Sequence, residues 1–176
     1  MIIAMRTALA GLIFLLLLAC AAAAQSPRHP EIQRPQHTEP QQSFRTHTDQ
    51  EIEVLELVNR ERRRERLSTL AWNEELATVA RSYSERMSRE GFFDHYDPAG
   101  HTVLDRASKV HGWSRIGENL FVCDEVRDLG PFAIRGWMLS PTHRGNILDP
   151  AWTSSGVGIA HAADGQIYIT QIFTQR

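Results

Sequence analysis

The residues best suited to chemistry lie close together in the segment 137–148, which reads WMLSPTHRGNIL. A proline directly after an amphipathic run ends one helix and can open another, as Pro141 would here. This predicts His143 in the first turn of a short second helix, with Ser140 at its N-cap. Ser140 and His143 could also act as nucleophile and base, but no nucleophile-elbow motif surrounds them and no aspartate is assigned to orient the imidazole. The N-cap interpretation of Ser140 is therefore favoured.

Two further residues of this kind precede the segment. His95 lies between aromatic and acidic residues in FFDHYDPAG, a loop rich in turn-forming residues. Glu118 is predicted at the mouth of a short strand, 116–122. Neutral imidazoles of His95 and His143 near a carboxylate suit a divalent transition metal such as zinc, with water in the remaining positions. Glu118 could instead orient one imidazole from outside the ligand set, and spacing alone does not show that these residues meet.

The helices that must position these residues follow from periodicity and capping signals. Thr48 and Glu51 have capping-box spacing at the start of the first helix, and Asn73 and Gly91 bracket the second. Besides the short helix described above, four helices are predicted, at 49–66, 74–90, 102–111 and 130–139. The arginine-rich run 60–66 contains interleaved glutamates, which favours a solvated helix end over a nucleic-acid patch.

The C-terminal part of the chain predicts a β-hairpin. Alternating residues in 157–161 and 167–173 indicate two strands, joined at Asp164-Gly165 by a two-residue turn. The cross-strand pairs expected from that turn are His161 with Tyr168 and Gly158 with Gln171. Helices followed by an antiparallel hairpin predict an α+β fold, in which helices cover a small sheet.

The N-terminal residues predict export. Residues 1–24 contain a basic start, an apolar block too short for a membrane span and a run of small residues, which is the layout of a secretory signal. Cleavage after Ala24 would release a soluble protein. Leu17-Leu18-Ala19-Cys20 also resembles a lipoprotein box, with a signal ending at residue 19 and Cys20 as the lipidated first residue. Both forms stay open, and an uncleaved anchor ranks third.

Composition indicates how the rest of the chain is organised. Residues 25–47 are rich in proline and polar residues, which predicts a disordered tether before a single domain at 48–176. A net charge of −2 gives no electrostatic footprint for nucleic acid. Cys20 and Cys123 are the only cysteines, so there is no disulfide framework. Cys123 is interpreted as a small buried hydrophobic residue.

Several motifs together resemble one family. FFDHYDPAG, GENL at 117–120, the segment 137–148, GVGIAH and YITQIF occur in the order found in the CAP superfamily, which includes cysteine-rich secretory proteins, insect venom antigen 5 and plant pathogenesis-related proteins. The chain resembles the short bacterial branch, the secreted SCP-like proteins, from Asp49 to Gln175. The resemblance implies an α-β-α sandwich, in which a small central antiparallel sheet lies between helical layers, with an open cleft.

The resemblance also implies a site. Members of the family carry a cleft tetrad of two histidines and two glutamates, and in many of them the imidazoles bind a divalent metal. By motif, His95 and His143 are the histidines and Glu118 is the first glutamate, whereas the second glutamate falls at Ser140. The tetrad is incomplete, and one carboxylate fewer weakens both a metal site and any two-carboxylate acid–base mechanism.

These features favour an exported, monomeric, non-enzymatic binding module, secreted, periplasmic or on the outer surface. His95 and His143 would bind a divalent metal, most simply zinc, and Glu118 and Ser140 would complete a cleft for a small ligand or an envelope component. Membrane contact would come only through a lipid on Cys20. One alternative is a peptidase or esterase that uses metal-bound water or Ser140. Another, by analogy with eukaryotic relatives, is a lipid- or sterol-binding module, although the sequence shows no dedicated groove.

Overall fold

The computed structural model describes residues 47–176; the predicted export signal and residues 25–46 of the predicted tether lie outside the described residues. The helices are α1 (His47–Arg64), α2 (Glu74–Glu90), α3 (Val103–Arg106), α4 (Leu129–Leu139) and α5 (Pro141–Ile147). The strands are β1 (Ala71–Trp72), β2 (Arg115–Asp124), β3 (Ser154–His161) and β4 (Gln166–Gln175). Across this part of the chain, every helix is too short or too polar to span a bilayer.

The strands form one sheet in the order β1-β3-β4-β2. β3 and β4 form the predicted hairpin, and β2 pairs antiparallel with the other side of β4 along its whole length. The expectation of a purely antiparallel sheet is wrong in one respect, because the short β1 pairs parallel to β3. β2 is an edge strand, so its outer side is open to groups from other elements.

Helices cover both faces of the sheet, which confirms the predicted α+β fold and α-β-α sandwich. Since side chains alternate across a strand, odd-numbered residues of β4 face α1 and α4, and even-numbered residues face α2. The larger core lies under α1 and α4 and includes Val58, Ile134, Trp137, Ile169 and Phe173. Two smaller clusters lie under α2 and include Leu76, Tyr83, Met87, Leu120 and Ile172.

α2 lies directly on two glycines of β3. A Cβ atom at Gly158 would lie 2.0 Å from the backbone nitrogen of Arg81, and one at Gly156 would lie 2.2 Å from that of Ala77. Only a residue without a side chain permits this approach. The backbone of α2 therefore packs directly against β3, and this contact sets the position of the loop that follows α2.

The strongest sequence signals gave the correct elements. The Asn73 side chain accepts a hydrogen bond from the N–H of Leu76, and Gly91 ends α2 in the left-handed conformation. α4 begins one residue before its predicted start, and α5 opens at Pro141 as expected. Cys123 is half-buried against the larger core, and burial raises the pKa of its thiol, as does Asp124.

Three predicted boundaries or registers are wrong. The helix predicted at 102–111 is only α3, because Ala107 and Val110 turn in to pack on α2 instead of continuing the helix. β2 is longer than the predicted strand, so Glu118 lies inside it and not at its mouth. The hairpin register is shifted by one residue, giving these pairs: His161 with Ile167, and Gly158 with Thr170.

The hairpin shift has a local cause. The N–H of Ala162 donates to the carbonyl of Gln166, which leaves a three-residue connection in place of the predicted two-residue turn. Gly165 has φ +89° within it. A three-residue loop with a final left-handed glycine pairs the strands differently from a primed two-residue turn.

α1 also departs from expectation at both ends. It begins at His47, the last residue of the predicted tether, so Thr48 lies inside the first turn and the capping box is wrong. The Glu51 carboxylate is instead buried against Arg81 and the N–H of Ile159. The arginine-rich run is not wholly solvated either, because Arg62 is fully buried.

Arg62 connects α1 to the end of α5. Its guanidinium donates to the carbonyls of Ser68, Ile147 and Asp149, each at 2.8 Å. Burial lowers the pKa of Arg62, opposed by the charge of Asp149. Cations favour the carbonyl end of a helix, so this contact holds α5 in place from its C-terminal side.

Candidate functional site

His95 is held in the loop after α2 by one carboxylate from β2. Its Nδ1 lies 2.8 Å from Oε1 of Glu118, and Oε2 of Glu118 accepts a hydrogen bond of 2.6 Å from Arg106. The Glu118 side chain is 3% exposed, whereas that of His95 is 52% exposed. Both oxygens of Glu118 are therefore engaged, while the His95 ring reaches solvent.

Asp97 fixes the conformation of the His95 loop. Its oxygens accept hydrogen bonds from the backbone N–H groups of Ala99 and His101, and it contacts the His101 ring and Arg86. Burial raises the pKa of Asp97, but the hydrogen bonds from His101 and Ala99 and the charge of Arg86 outweigh it and lower the pKa to about 2. The ionised carboxylate thus stabilises the loop.

We expect Asp97→Asn to destabilise the protein in a pH-dependent way. The pKa of Asp97 falls from 3.8 to about 2 on folding, so its stabilisation is present above pH 3.8 and is lost as the pH falls through about 2. Urea midpoints of wild type and variant should differ at neutral pH and converge toward pH 2. Asp124→Asn, at the exposed end of β2, should leave the midpoint at neutral pH close to that of the wild type. Equal midpoints for Asp97→Asn and wild type at neutral pH would contradict the prediction.

Ser140 and His143 form the second half of the site. Ser140 has the extended backbone of an N-cap, φ −92° and ψ 118°, yet its side chain makes no capping hydrogen bond. Its Oγ instead lies 2.8 Å from Nδ1 of His143. The N-cap prediction is thus right for the backbone and wrong for the hydroxyl. The hydroxyl partners an imidazole at the position where the family resemblance implies a carboxylate.

A pair of asparagines attaches α5 to β2. Asn119 donates to the carbonyl of His143 at 3.2 Å, and Asn146 donates to the side chain of Asn119 at 2.9 Å and to the carbonyl of Glu118 at 3.2 Å. Trp137 donates to the carbonyl of Leu120 at 2.9 Å. Asn146 and Trp137 thus satisfy the outward carbonyls of Glu118 and Leu120 on the edge strand, as buried backbone groups require.

The dipeptide Glu118-Asn119 therefore joins the two histidines. Because consecutive strand residues point to opposite faces, Glu118 faces the α2 layer and holds His95, whereas Asn119 faces the other layer and holds the His143 carbonyl. The structure brings His95 to Glu118 and Ser140 to His143, as two separate pairs that adjacent residues of β2 hold.

The two imidazoles have opposite electrostatic environments. The hydrogen bond that His95 donates to Glu118 raises the pKa of His95, assisted by the charges of Glu118 and Asp94 and opposed by burial and Arg106. Burial lowers the pKa of His143, and the charge of His95 lowers it further. His143 is thus the more readily available neutral ligand, and His95 the more readily protonated group.

Imidazole nitrogens are donors of the type that suits a zinc ion, but the site offers few of them. Each imidazole has Nδ1 engaged, by Glu118 or by Ser140, which leaves Nε2 for a ligand. Within residues 47–176, no three side chains among His, Cys, Asp and Glu converge in a way that could hold a metal ion. A metal on His95 and His143 would share its coordination sphere with water or a ligand.

Sequence reasoning missed Arg106, Asn119 and Asn146. The two asparagines lie within motifs that were recognised, GENL and HRGNIL, beside Glu118 and His143. Short polar residues next to a predicted ligand were thus the available signal. Arg106 carried none, since it lies in the middle of the helix predicted at 102–111.

A mixed sheet between helical layers, with two partnered histidines beside its edge strand, defines a class of α-β-α sandwich domains. The chain belongs to the CAP family: residues 55–173 match the model of the cysteine-rich secretory protein family. The chain is 30% identical over 147 residues to the uncharacterized membrane protein YlbC of Bacillus subtilis (strain 168), covering 83% of this chain and 40% of YlbC. It is 32% identical over 122 residues to the uncharacterized protein YkwD of the same strain, covering 69% of this chain and 46% of YkwD.

A solved structure is similar as well. An extracellular protein containing an SCP domain from Bacillus anthracis strain Ames superposes with a TM-score of 0.65 at 30% identity, over 74% of this chain and 41% of that chain. The chain thus spans less than half the length of each of these relatives. The family and the fold are shared, and the activity of the longer relatives does not transfer with them.

Proposed function

We propose that the protein is exported and works at the cell envelope or outside the cell as a non-enzymatic binding module. His95 and His143 would hold a divalent metal, most simply zinc, or a small ligand. The observation that carries this proposal is the full engagement of Glu118, whose two oxygens contact His95 and Arg106. With Ser140 at the second carboxylate position, no free carboxylate is assigned as a general acid or base.

Apolar side chains near the site support an organic ligand. Tyr96, Leu104 and Leu139 are 60%, 55% and 79% exposed. Each lies within two residues of His95, Arg106 or Ser140 along the chain. Ligand-binding sites combine apolar side chains with a few precisely placed polar groups, and these three residues would supply the apolar part. A zinc ion, when bound, would offer open coordination positions to a polar group of such a ligand.

Export rests on the N-terminal signal and agrees with the extracellular description of the Bacillus anthracis relative. The two mature forms differ by mass: a chain beginning at Gln25 lacks Cys20, whereas a lipoprotein begins at a diacylated Cys20. Mass spectrometry of the mature protein distinguishes them. An unprocessed N-terminus in the native host would count against both.

Zinc titration tests the metal-binding proposal. We expect saturable binding by the wild type and its loss in His143→Ala and in His95→Ala, because two imidazoles are the only ligands assigned. Isothermal titration calorimetry of the full mature chain measures this directly. His111→Ala is the matched control, since His111 is exposed and outside the site, and it should bind zinc as the wild type does.

Absence of saturable binding by the wild type would overturn the metal-binding proposal. The 2.8 Å contact between Ser140 and His143 favours a serine hydrolase as the second candidate. That candidate predicts esterase or peptidase activity that is lost in Ser140→Ala and His143→Ala and retained in His95→Ala. A metal-dependent hydrolase would instead lose activity in both histidine variants, and activity that persists in either would exclude it.

A further inference from the structure

Arg106 of α3 makes several hydrogen bonds to His95 and to the residues around it, and α3 does not need these contacts to form. Its guanidinium donates to Oε2 of Glu118 at 2.6 Å, to the backbone carbonyl of His95 at 3.2 Å and to that of His101 at 3.0 Å. The Arg106 side chain is only 10% exposed. One cation thus holds both the His95 backbone and the carboxylate that contacts the His95 ring.

The ring of Tyr83 packs against the guanidinium of Arg106 and fixes its position. Arg106 Cζ lies 3.4 Å from the centroid of the Tyr83 ring, and the buried Nε of Arg106 has no hydrogen-bond partner within the described residues. Burial raises the pKa of Tyr83 to about 12, with Arg106 opposing, and the neutral hydroxyl donates to the carbonyl of Asp94 at 2.6 Å. A cation on an aromatic face inside a desolvated site is strongly held.

The contacts of Glu118 show which atom carries the hydrogen in its hydrogen bond with His95. A carboxylate paired with a guanidinium offers only acceptor oxygens, so the hydrogen between Glu118 Oε1 and His95 Nδ1 belongs to Nδ1. A neutral imidazole with hydrogen on Nδ1 has its lone pair on Nε2. The orientation of Glu118 therefore selects the ring atom that faces a ligand.

We infer that Arg106 is the positioning residue of the site: it holds Glu118 against His95, keeps Glu118 out of the ligand set and fixes His95 as the Nδ1–H tautomer. The tautomer assignment stands on hydrogen bonding alone. Only the further statement, that Nε2 of His95 is the atom that meets a metal or ligand, rests on the proposed function.

Side-chain nitrogen NMR of the metal-free full chain, at a pH well above the imidazole pKa, tests the tautomer. The wild type should show His95 as Nδ1–H. In Arg106→Gln the Glu118 carboxylate loses the hydrogen bond that holds it in place, and His95 should become a mixture of both tautomers. Arg89→Gln, which removes an exposed arginine that pairs with Glu90 and contacts neither Glu118 nor the His95 loop, should leave the His95 signals unchanged.

The variant Glu118→Gln is a second test, in which the tautomer of His95 should invert. Arg106 donates to the side-chain oxygen nearest to it, so the amide oxygen should face Arg106 and the amide NH₂ should face His95. Nδ1 must then accept, and His95 should invert to the Nε2–H tautomer. In the double variant Arg106→Gln/Glu118→Gln the amide is free to turn, and the inversion should be incomplete. If Arg106→Gln fails to fold, Glu118→Gln still decides the question.

Two results would overturn the inference: a wild-type His95 in the Nε2–H form, or a folded Arg106→Gln that keeps the wild-type Nδ1–H signal. A zinc titration of Glu118→Gln separates this inference from the proposed function. We expect zinc affinity about 10-fold or more below wild type, as for other partners of metal-bound histidines. A wild type that binds no zinc but shows the expected tautomers would refute the proposed metal site and leave the role of Arg106 intact.

Discussion

Gly158→Ala is expected to lower the free energy of unfolding by about 3 kcal/mol or more, because overpacking a core against backbone leaves nothing flexible to move. The added Cβ atom would lie 2.0 Å from the nitrogen of Arg81 and 2.3 Å from the carbonyl carbon of Ala80. Relief requires α2 to move away from the sheet and to carry the His95 loop with it. Urea unfolding followed by circular dichroism measures the change.

Gly145→Ala is the matched control for this effect. A Cβ atom at Gly145 meets no other atom within 4 Å, and the residue lies within α5. Alanine is better than glycine in a helix by about 1 kcal/mol, so this variant should be equal to or more stable than the wild type. A Gly158→Ala protein as stable as Gly145→Ala would show that α2 does not lie as close to β3 as the structure has it.

Glu51→Ala has the second large expected effect. Glu51 is fully buried, and its carboxylate accepts two hydrogen bonds from Arg81, at 3.0 and 2.8 Å, and one from the N–H of Ile159 at 3.1 Å. Removing one partner of a buried pair leaves the other uncompensated, at a cost of about 3–5 kcal/mol. Arg81 is partly exposed and keeps a second partner, Glu74 at 3.6 Å, so we expect the lower end of that range, about 3 kcal/mol. Ile159 also loses its acceptor on the outer side of β3.

Glu61→Ala provides the comparison within the same helix. Glu61 pairs with Arg64 at 2.6 Å, and the Arg64 side chain is 66% exposed. Exposed pairs contribute about 0–1 kcal/mol, so this variant should unfold close to the wild type. Glu51→Gln, which keeps an acceptor for Ile159, should fall between the two alanine variants. A Glu51→Ala protein with the stability of Glu61→Ala would refute the structural role of the buried carboxylate.

Elements with strong local signals were predictable from sequence. Asn73 and Gly91 set the ends of α2, and Pro141 opened α5 because its φ is fixed by its own ring. The hairpin was predicted as an element and missed in register, since a loop one residue longer changes every pair. α3 was overestimated because burial of Ala107 and Val110 on α2 decided where that helix stops.

Arg62 and Glu51 show why the rest was not predictable. Both were interpreted from their neighbours along the chain, as a solvated arginine and a capping glutamate. Their actual partners lie far away in sequence, in α5, α2 and β3. A charged residue is buried only where such partners meet it, and a helical sequence pattern does not contain that information.

The sequence by itself determined that His143 stands at a rigid corner, because Pro141 fixes the local backbone whatever surrounds it. Through its motifs it also indicated the family and identified His95, Glu118 and Ser140 as candidate site residues. Tertiary structure alone decided what these residues contact, because the pairing of β2 with β4 sets which face each side chain takes. Glu118 therefore meets Arg106 and His95 on one face, and Asn119 holds the His143 carbonyl on the other.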